Sequence, residues 1–323
     1  MKIVGTGRYL PDRIVRSEEL EKKYSLESGW CVKTTGIQER RWAEDETISY
    51  MCVKAVNEAC EDAGIDINEI DYLVNAGNSF DQVMPDECVQ VMKESGAFRE
   101  DIGYVSINCG CLSFLAALDL AASMLSGGTY KYILICSGIL ASSMVDTSDS
   151  LEKYTVGDGA AAVIVKRAEK NENSKLLVAR METYSEHSGV KGFNATKDSK
   201  TKILFNKDVL VSGIAFEFDT SEMQSEGLRY NKDFFTRLIP FSRKGINKVI
   251  PNQSSRIVSD MLKITFPSKK IKTVIDKYGN IGAAGHAMAL YDMIRMDEVN
   301  RDDVILLQAM GAGFSIYGLL LIY

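Results

Sequence analysis

The sequence contains only two histidines and no excess of positive charge, and each shortage excludes a class of function. It has 38 lysines and arginines against 44 aspartates and glutamates, a formal net charge of -6 at pH 7. Binding to nucleic acid needs a basic surface to neutralise phosphates, so nucleic acid is excluded as the main partner. No second cysteine pair accompanies Cys109 and Cys111, and only two histidines could serve as further metal ligands, so no metal site is expected.

Long apolar runs are also missing. No stretch reaches the length of a membrane-spanning helix, and the first residues, MKIVGTGRYLP, lack the basic and apolar regions of a signal peptide. We therefore expect a cytoplasmic protein with no membrane contact. The seven cysteines all lie in the first half without paired spacing, which argues against a disulfide framework and fits a reducing compartment.

Short apolar runs alternate with amphipathic segments along the 323 residues. Strands are predicted at KIVGTGRY, IDYLVNAG, IGYVSIN, KYILICSG and AAAVIVKR, with helices between several of them, and a similar alternation follows a polar linker at 167–175. Continuous apolar strands separated by helices are typical of a sheet covered on both faces. The pattern therefore predicts an α/β protein of two related halves, residues 1-168 and 176-323, packed as one body.

Cys111 stands where the predicted strand YVSIN passes into the helical pattern LSFLAALDLAASML. Free N–H groups and the dipole at a helix N-terminus stabilise a thiolate, so Cys111 is a candidate nucleophile. Free cysteines are also often buried simply for packing. Position alone leaves both interpretations open.

A set of short motifs extends along nearly the whole chain. In order, they are GTGRYLP, Trp30 with Thr35-Gly36-Ile37 and Arg40-Arg41, Met84-Pro85, Cys111-Leu-Ser-Phe114, Gly157-Asp158-Gly159, Pro251-Asn-Gln-Ser-Ser-Arg256, Gly279-Asn280 and Gly311-Ala-Gly313-Phe314. Their order and spacing resemble β-ketoacyl-acyl-carrier-protein synthase III, a condensing enzyme of the thiolase superfamily. The resemblance implies a five-layered αβαβα thiolase-like fold of two similar halves, with a Cys-His-Asn active site.

The same resemblance assigns roles to individual residues. Cys111 aligns with the nucleophile that accepts an acyl group, and the backbone N–H groups of Cys111 and Ala312 would form the oxyanion hole. Trp30 matches the tryptophan that stacks on the adenine of coenzyme A. Apart from the resemblance, the charges of Arg237, Arg243, Lys244, Lys248 and Arg256 form a basic cluster that either docks an acidic carrier or is a set of ordinary solvated side chains. The substrates would be pantetheine thioesters of acyl carrier protein or coenzyme A, with no permanently bound cofactor, and the assembly a homodimer or a heterodimer.

One departure from the family pattern concerns the chemistry directly. Where the family has Pro-His-Gln, this chain has Pro-Asn-Gln, so Asn252 stands at the position of the family's histidine. Asn280 stands at the family's asparagine position. Asparagine keeps an NH₂ donor but cannot carry a proton as imidazole does. We therefore expect a ketoacyl synthase III-like enzyme of fatty acid, polyketide or related secondary metabolism. The alternatives are an acyltransferase to an oxygen or nitrogen nucleophile and a weakly catalytic partner of a heterodimeric enzyme, and the asparagine itself is either natural or engineered.

Three further interpretations concern the surroundings of this site. A basic residue and an arginine expected to hold phosphate are replaced, the first by Thr34, which favours acyl carrier protein over coenzyme A as donor. Met84 matches the residue that reaches into the partner's acyl pocket, although methionine also fills cores. His286 lies near the expected acyl pocket or is a packed core histidine, and His187 is expected at the surface.

Overall fold

The structure is a computed structural model that describes residues 1–77, 79–82, 84–143, 151–187, 193–194, 215–216, 220–243, 245–311 and 314–323. Its strands are β1 Lys2–Tyr9, β2 Ile14–Arg16, β3 Glu39–Arg41, β4 Tyr72–Ala76, β5 Gly103–Ile107, β6 Tyr132–Leu140, β7 Asp158–Lys166, β8 Lys175–Thr183, β9 Phe193–Asn194, β10 Ala215–Phe216, β11 Lys248–Ile250, β12 Val304–Gly311 and β13 Ser315–Ile322. Its helices are α1 Ser17–Lys23, α2 Trp30–Thr35, α3 Ile48–Ala63, α4 Glu87–Ser95, α5 Ser113–Ser126, α6 Thr220–Leu238, α7 Arg256–Leu262, α8 Ile275–Tyr278 and α9 Ala284–Arg295.

Two mixed sheets form the framework. The first has the strand order β1-β7-β6-β4-β5, in which β4 is parallel to both neighbours. The second has the order β11-β12-β13-β8, with β11 parallel to β12 and the other pairs antiparallel. The first sheet uses residues before 168 and the second uses residues from 175 onward, while the exact division into two halves stays a prediction.

Alternate residues of the central strands show how the layers are stacked. In β7, Ala161 and Val163 pack into a core shared with α5, α9 and the second sheet, whereas Ala162 and Ile164 pack against α3 and α4. β12 behaves in the same way, because its outer residues pack against α6 and α7. Since successive side chains of a strand point to opposite faces, both sheets are covered on each side. The result is the predicted five-layered αβαβα arrangement.

The outer helix α3 follows the spacing read from the sequence. Its buried face carries Ile48, Met51, Ala55 and Ala59 among others, and α3 ends before Gly64, whose φ of +65° is a left-handed conformation. The first N–H groups are satisfied by a distant carboxylate as well as a local cap. The Asp81 side chain accepts hydrogen bonds from Ile48 N at 2.8 Å and from Ser49 N at 2.9 Å.

Two loops cross beside the central layer and fix its edge. A Cβ on Gly157 would lie 2.1 Å from Tyr278 O, and one on Gly279 would lie 2.7 Å from Thr155 O. Only glycine permits backbones to approach so closely. This crossing brings the loop before β7 against the loop that carries Asn280.

Among the described residues, no helix is both long and apolar enough to cross a membrane. All seven cysteines are free thiols.

Candidate active site

Cys111 lies on a tight turn that joins β5 to α5. A hydrogen bond from Leu112 N to Cys109 O, at 3.2 Å, closes the turn, and Gly110 supplies a φ of +58°. The Ser113 hydroxyl secures it, because this group accepts a hydrogen bond from Cys109 N at 2.9 Å and donates one to Gly110 O at 2.7 Å. Helix α5 begins at Ser113, so Cys111 stands two residues before the helix rather than on its first turn.

The surroundings of the Cys111 thiol oppose its ionisation. Removal of water around the sulfur raises the pKa of Cys111 above the ordinary thiol value, and a hydrogen bond from the backbone offsets only part of this effect. The prediction that the helix N-terminus stabilises a resting thiolate is therefore wrong. The thiol is the resting form, so acyl loading has to remove a proton.

The end of β12 packs directly on this turn. A Cβ on Gly311 would lie 2.2 Å from Leu112 Cδ1, so the Leu112 side chain packs directly on the Gly311 backbone. Ala312, the predicted second donor of the oxyanion hole, lies outside the described residues. Its role stays a prediction.

Asn252 follows β11 and is buried beside the same strand end. Its Nδ2 donates hydrogen bonds to Met310 O and to Ser254 Oγ, both at 3.2 Å. An amide NH₂ group has two hydrogens, so both are engaged. A substrate carbonyl can take one of them only by replacing Ser254.

His286 and Asn252 each bind a backbone carbonyl of β12, beyond the part of β12 that pairs with β11. Strand β11 ends at Ile250, and beyond it Gln308 O accepts a hydrogen bond from His286 Nε2 at 2.9 Å. Carbonyls two residues apart share one side of a strand, so Gln308 O and Met310 O place the two side chains side by side. Burial lowers the pKa of His286 to about 4, which makes it neutral, and its Nδ1 has no hydrogen-bond partner among the described residues.

Asn280 is held through its backbone and through its side-chain oxygen. Asn280 N donates to Thr155 O at 2.7 Å, and Gly157 N donates to Asn280 O at 3.0 Å. The side-chain Oδ1 accepts a hydrogen bond from Gly282 N at 3.0 Å. This orientation leaves the half-buried NH₂ group as the end that can face a substrate.

Gln253 connects the loops that carry the two asparagines, a role that sequence reasoning missed. Its Nε2 donates to Pro251 O at 2.7 Å, and its Oε1 accepts from Val274 N at 2.9 Å. Gly285, at the start of α9, packs on the same side chain, because a Cβ there would lie 2.8 Å from Gln253 Cβ. The only signal in the sequence was the position of Gln253 inside the Pro-Asn-Gln motif.

Arg40 is a second residue whose role was missed. Its guanidinium is fully buried and donates to Tyr154 O at 2.7 Å and to Ser17 Oγ at 3.1 Å. Burial lowers the pKa of Arg40 to about 10, so the group stays charged at neutral pH. Because its Cβ also packs where Gly157 and Gly279 cross, Arg40 supports the loop of Asn280.

Helix α2 brings together the two residues predicted to bind the carrier. The half-buried ring of Trp30 meets the ring of Tyr154 edge-on, with centroids 5.2 Å apart. Arg256 lies against the same helix, since its Nη2 donates to Lys33 O at 3.3 Å. Trp30 therefore begins the helix on which the Arg256 guanidinium packs.

The rest of the predicted basic cluster is less coherent. Arg237 is paired with Glu182, with Nε to Oε1 at 2.9 Å, and Lys244 lies outside the described residues.

Met84, predicted to reach into the partner's acyl pocket, is 70% exposed. His187 ends a short 3₁₀ turn, and its side chain lies outside the described part.

Comparisons with known proteins agree with this geometry. The family model for 3-oxoacyl-[acyl-carrier-protein (ACP)] synthase III matches residues 105–185, and the model for its C-terminal part matches residues 240–323. A β-ketoacyl-[acyl-carrier-protein] synthase III from Aquifex aeolicus is 31% identical, covering 100% of this chain and 99% of its own. A 3-oxoacyl-[acyl-carrier-protein] synthase III structure from the same species superimposes with a TM-score of 0.87 at 28% identity, over 100% of this chain and 99% of that chain.

A more distant structure supports the fold alone. A variant of OleA from Xanthomonas campestris superimposes with a TM-score of 0.84 at 20% identity, over 99% of this chain and 98% of that chain. Five layers with a cysteine on the turn before a central helix define a condensing enzyme of the thiolase superfamily. The chain belongs to the β-ketoacyl-[acyl-carrier-protein] synthase III family. The predicted fold class and family are thereby confirmed.

Proposed function

We propose that the protein takes an acyl group from a pantetheine thioester onto Cys111 and condenses it with a malonyl-type thioester. The observation that carries the proposal is the contact of Gly311 with Leu112, beside the hydrogen bond from Asn252 to Met310 O. These contacts bring the nucleophile turn and the Asn252 amide to the end of β12, which Ala312 follows in the sequence. The family supports a setting in fatty acid, polyketide or related secondary metabolism.

Loading begins when the Cys111 sulfur attacks the thioester carbonyl carbon and loses its proton. The tetrahedral intermediate then collapses, the pantetheine sulfur leaves, and that sulfur takes up a proton. The backbone N–H groups of Cys111 and Ala312 are our candidates for holding the oxyanion. Because its surroundings raise the pKa of Cys111, deprotonation contributes to the barrier of this step.

The second step depends on the two asparagines. The family uses a histidine and an asparagine to donate hydrogen bonds to the malonyl thioester carbonyl as carbon dioxide leaves. Asn280 presents an NH₂ group for this purpose, whereas Asn252 has both amide hydrogens engaged. We infer that Asn280 is the principal donor, that decarboxylation is weak, and that any step needing a base at position 252 fails. General acid–base help is typically worth ~10²–10⁴-fold in rate.

The same engaged amide favours a second candidate, acyl transfer to an oxygen or nitrogen nucleophile without decarboxylation. Such a transfer needs loading of Cys111 and the oxyanion hole but no malonyl enolate. A weakly catalytic partner subunit of a heterodimeric condensing enzyme would need neither step. Loading therefore separates the first two candidates from the third.

For the donor, we infer an acyl carrier protein rather than coenzyme A. The relatives' name supports it, and Arg256 packs on the helix that Trp30 begins, where a carried pantetheine arm can enter. The position expected to hold a phosphate contact is Thr34. Cytoplasm, as a reducing compartment, suits an unpaired catalytic thiol.

A homodimer is the assembly that we propose. Strand β5 ends the first sheet with Tyr104 45% exposed and pairs with β4 among the described strands. An open strand edge can pair with a second copy of itself. Light scattering on the purified chain tests this, and a monomer at micromolar concentration would contradict it.

The function is tested by intact-mass spectrometry after incubation with acyl thioesters of carrier protein and of coenzyme A. We expect one acyl adduct, absent from Cys111→Ala, with faster loading from the carrier protein. No adduct with any donor would favour the partner-subunit candidate. Adding malonyl thioester to the loaded protein and measuring carbon dioxide then distinguishes condensation from plain transfer.

A further inference from the structure

The Cys109-Gly110-Cys111 turn carries two thiols, and the proposed acyl transfer uses only one. We propose that the turn is a redox modification site, in which a peroxide-class oxidant joins Cys109 and Cys111 in a reversible disulfide. The bond withdraws the nucleophile from catalysis and shields it from irreversible oxidation. Its effect on loading rests on the proposed function, whereas its formation does not.

The backbone places the two residues within reach of each other. The hydrogen bond from Leu112 N to Cys109 O and the φ of +58° at Gly110 bend the chain between the two Cα atoms. Two Cα–Cα steps of about 3.8 Å around such a turn leave these atoms about 5.5–6 Å apart. Disulfides span about 4.4–6.8 Å between Cα atoms. Apart from its chain neighbours, no described atom lies within 4 Å of the position of a Cβ on Gly110, so the Gly110 side of the turn is open among the described residues.

Exposure distinguishes this pair from the other thiols. Cys109 is exposed and Cys111 is partly exposed, whereas Cys31, Cys52, Cys60, Cys88 and Cys136 are buried. Cys52 and Cys136 also contact each other through a hydrogen bond, but both side chains are fully buried. A dissolved oxidant therefore meets Cys109 first.

The reaction balances, with water as the only by-product. The Cys109 sulfur attacks one oxygen of hydrogen peroxide and loses its proton, the O–O bond breaks, the departing hydroxide takes up that proton as water, and a sulfenic acid forms. The Cys111 sulfur then attacks the Cys109 sulfur, the S–S bond forms, and the S–O bond breaks. Two thiols and one peroxide become one disulfide and two waters, so the sulfurs are oxidised and the peroxide is reduced. A thiol reductant reverses the change by exchange.

The test uses the full-length reduced protein, treated with graded hydrogen peroxide and followed by intact-mass spectrometry. We expect a loss of about 2 Da on the single-chain mass, mapped to the peptide that contains Cys109 and Cys111, and its reversal by dithiothreitol. Acyl loading of Cys111 should disappear as the disulfide forms and return when dithiothreitol reduces it. Cys109→Ser should instead gain about 32 Da at Cys111, as sulfinic acid, and should not recover loading after reduction, relative to its own untreated value.

Cys60→Ser is the matched control, because it removes a buried thiol, and it should behave as the wild type does. Circular dichroism establishes that both variants are folded. The proposal is overturned if the wild type gains oxygen without the loss of 2 Da, if the disulfide joins two chains, or if Cys109→Ser recovers as fully as the wild type. Failure of reduced protein to load would instead count against the proposed function.

Discussion

The contact between the end of β12 and the nucleophile turn supports a quantitative prediction. A Cβ on Gly311 would lie 2.2 Å from Leu112 Cδ1, against 3.4 Å or more for ordinary contact, so Gly311→Ala has to displace the buried Leu112 side chain that the turn carries. Overpacking of this kind costs about 1–3 kcal/mol. Leu112→Ala removes a side chain that is 2% exposed, at a cost of about 2–5 kcal/mol, and also removes the clashing atom. The double variant should therefore be more stable than the sum of the two changes by about 1–2 kcal/mol.

Thermal or urea unfolding of the four proteins measures this coupling, and acyl loading of Cys111 measures its effect on chemistry. A displacement of about 1 Å can reduce a rate by about 10²-fold, so Gly311→Ala should load slowly and the double variant should recover part of the rate. Gly127→Ala is the matched control, since a Cβ there meets Met124 O at an ordinary 3.4 Å. Additive stabilities, or normal loading by Gly311→Ala, would refute the reasoning.

Three further predictions concern ionisation and the buried arginine. The surroundings of Cys111 raise its pKa, so the rate of acyl loading should keep rising with pH beyond about 8.5, the ordinary thiol pKa. Stopped-flow or quenched mass spectrometry measures this rate. A plateau near neutral pH would contradict the prediction. His286 has a pKa of about 4 when folded and about 6.5 when unfolded. The unfolded chain therefore binds the proton between these values, and stability should fall by roughly 3 kcal/mol from pH 6.5 to pH 4, more steeply than in His286→Gln. Arg40→Met should lose at least ~2 kcal/mol of stability, because Tyr154 O and Ser17 Oγ lose a buried donor. It should also slow carbon dioxide release more than the control Arg41→Met does. Equal effects of the two variants would refute the claim that Arg40 supports the Asn280 loop.

The sequence predicted the long elements because their signals are local. Helix α3 repeats apolar residues at helical spacing from Ile48 to Ala59, and β7 is a continuous apolar run that has to be covered on both faces. The short helices α2 and α8 were not predicted. The N-terminus of α2 is capped by Glu21, whose carboxylate accepts hydrogen bonds from Gly29 N and Cys31 N, and such a contact leaves no periodic pattern.

The candidate site shows the same division between local and distant information. Motif order predicted Cys111, Asn252 and Asn280 as site residues. The structure places Cys111 and Asn252 beside the end of β12, and Asn280 where the loops of Gly157 and Gly279 cross. The motifs did not reveal the surroundings of these side chains. The raised pKa of Cys111 comes from the packing around the sulfur, and the hydrogen bond from Asn252 to Met310 O joins residues 58 positions apart, whereas the one to Ser254 is local.

The most direct test of the central claim is the rate of carbon dioxide release from malonyl thioester by acyl-loaded wild type and by Asn252→His. If Cys111 loads and Asn252 limits decarboxylation, histidine at position 252 should raise the rate of carbon dioxide release by about tenfold or more, with loading unchanged. Equal rates from two fully loaded proteins would contradict it.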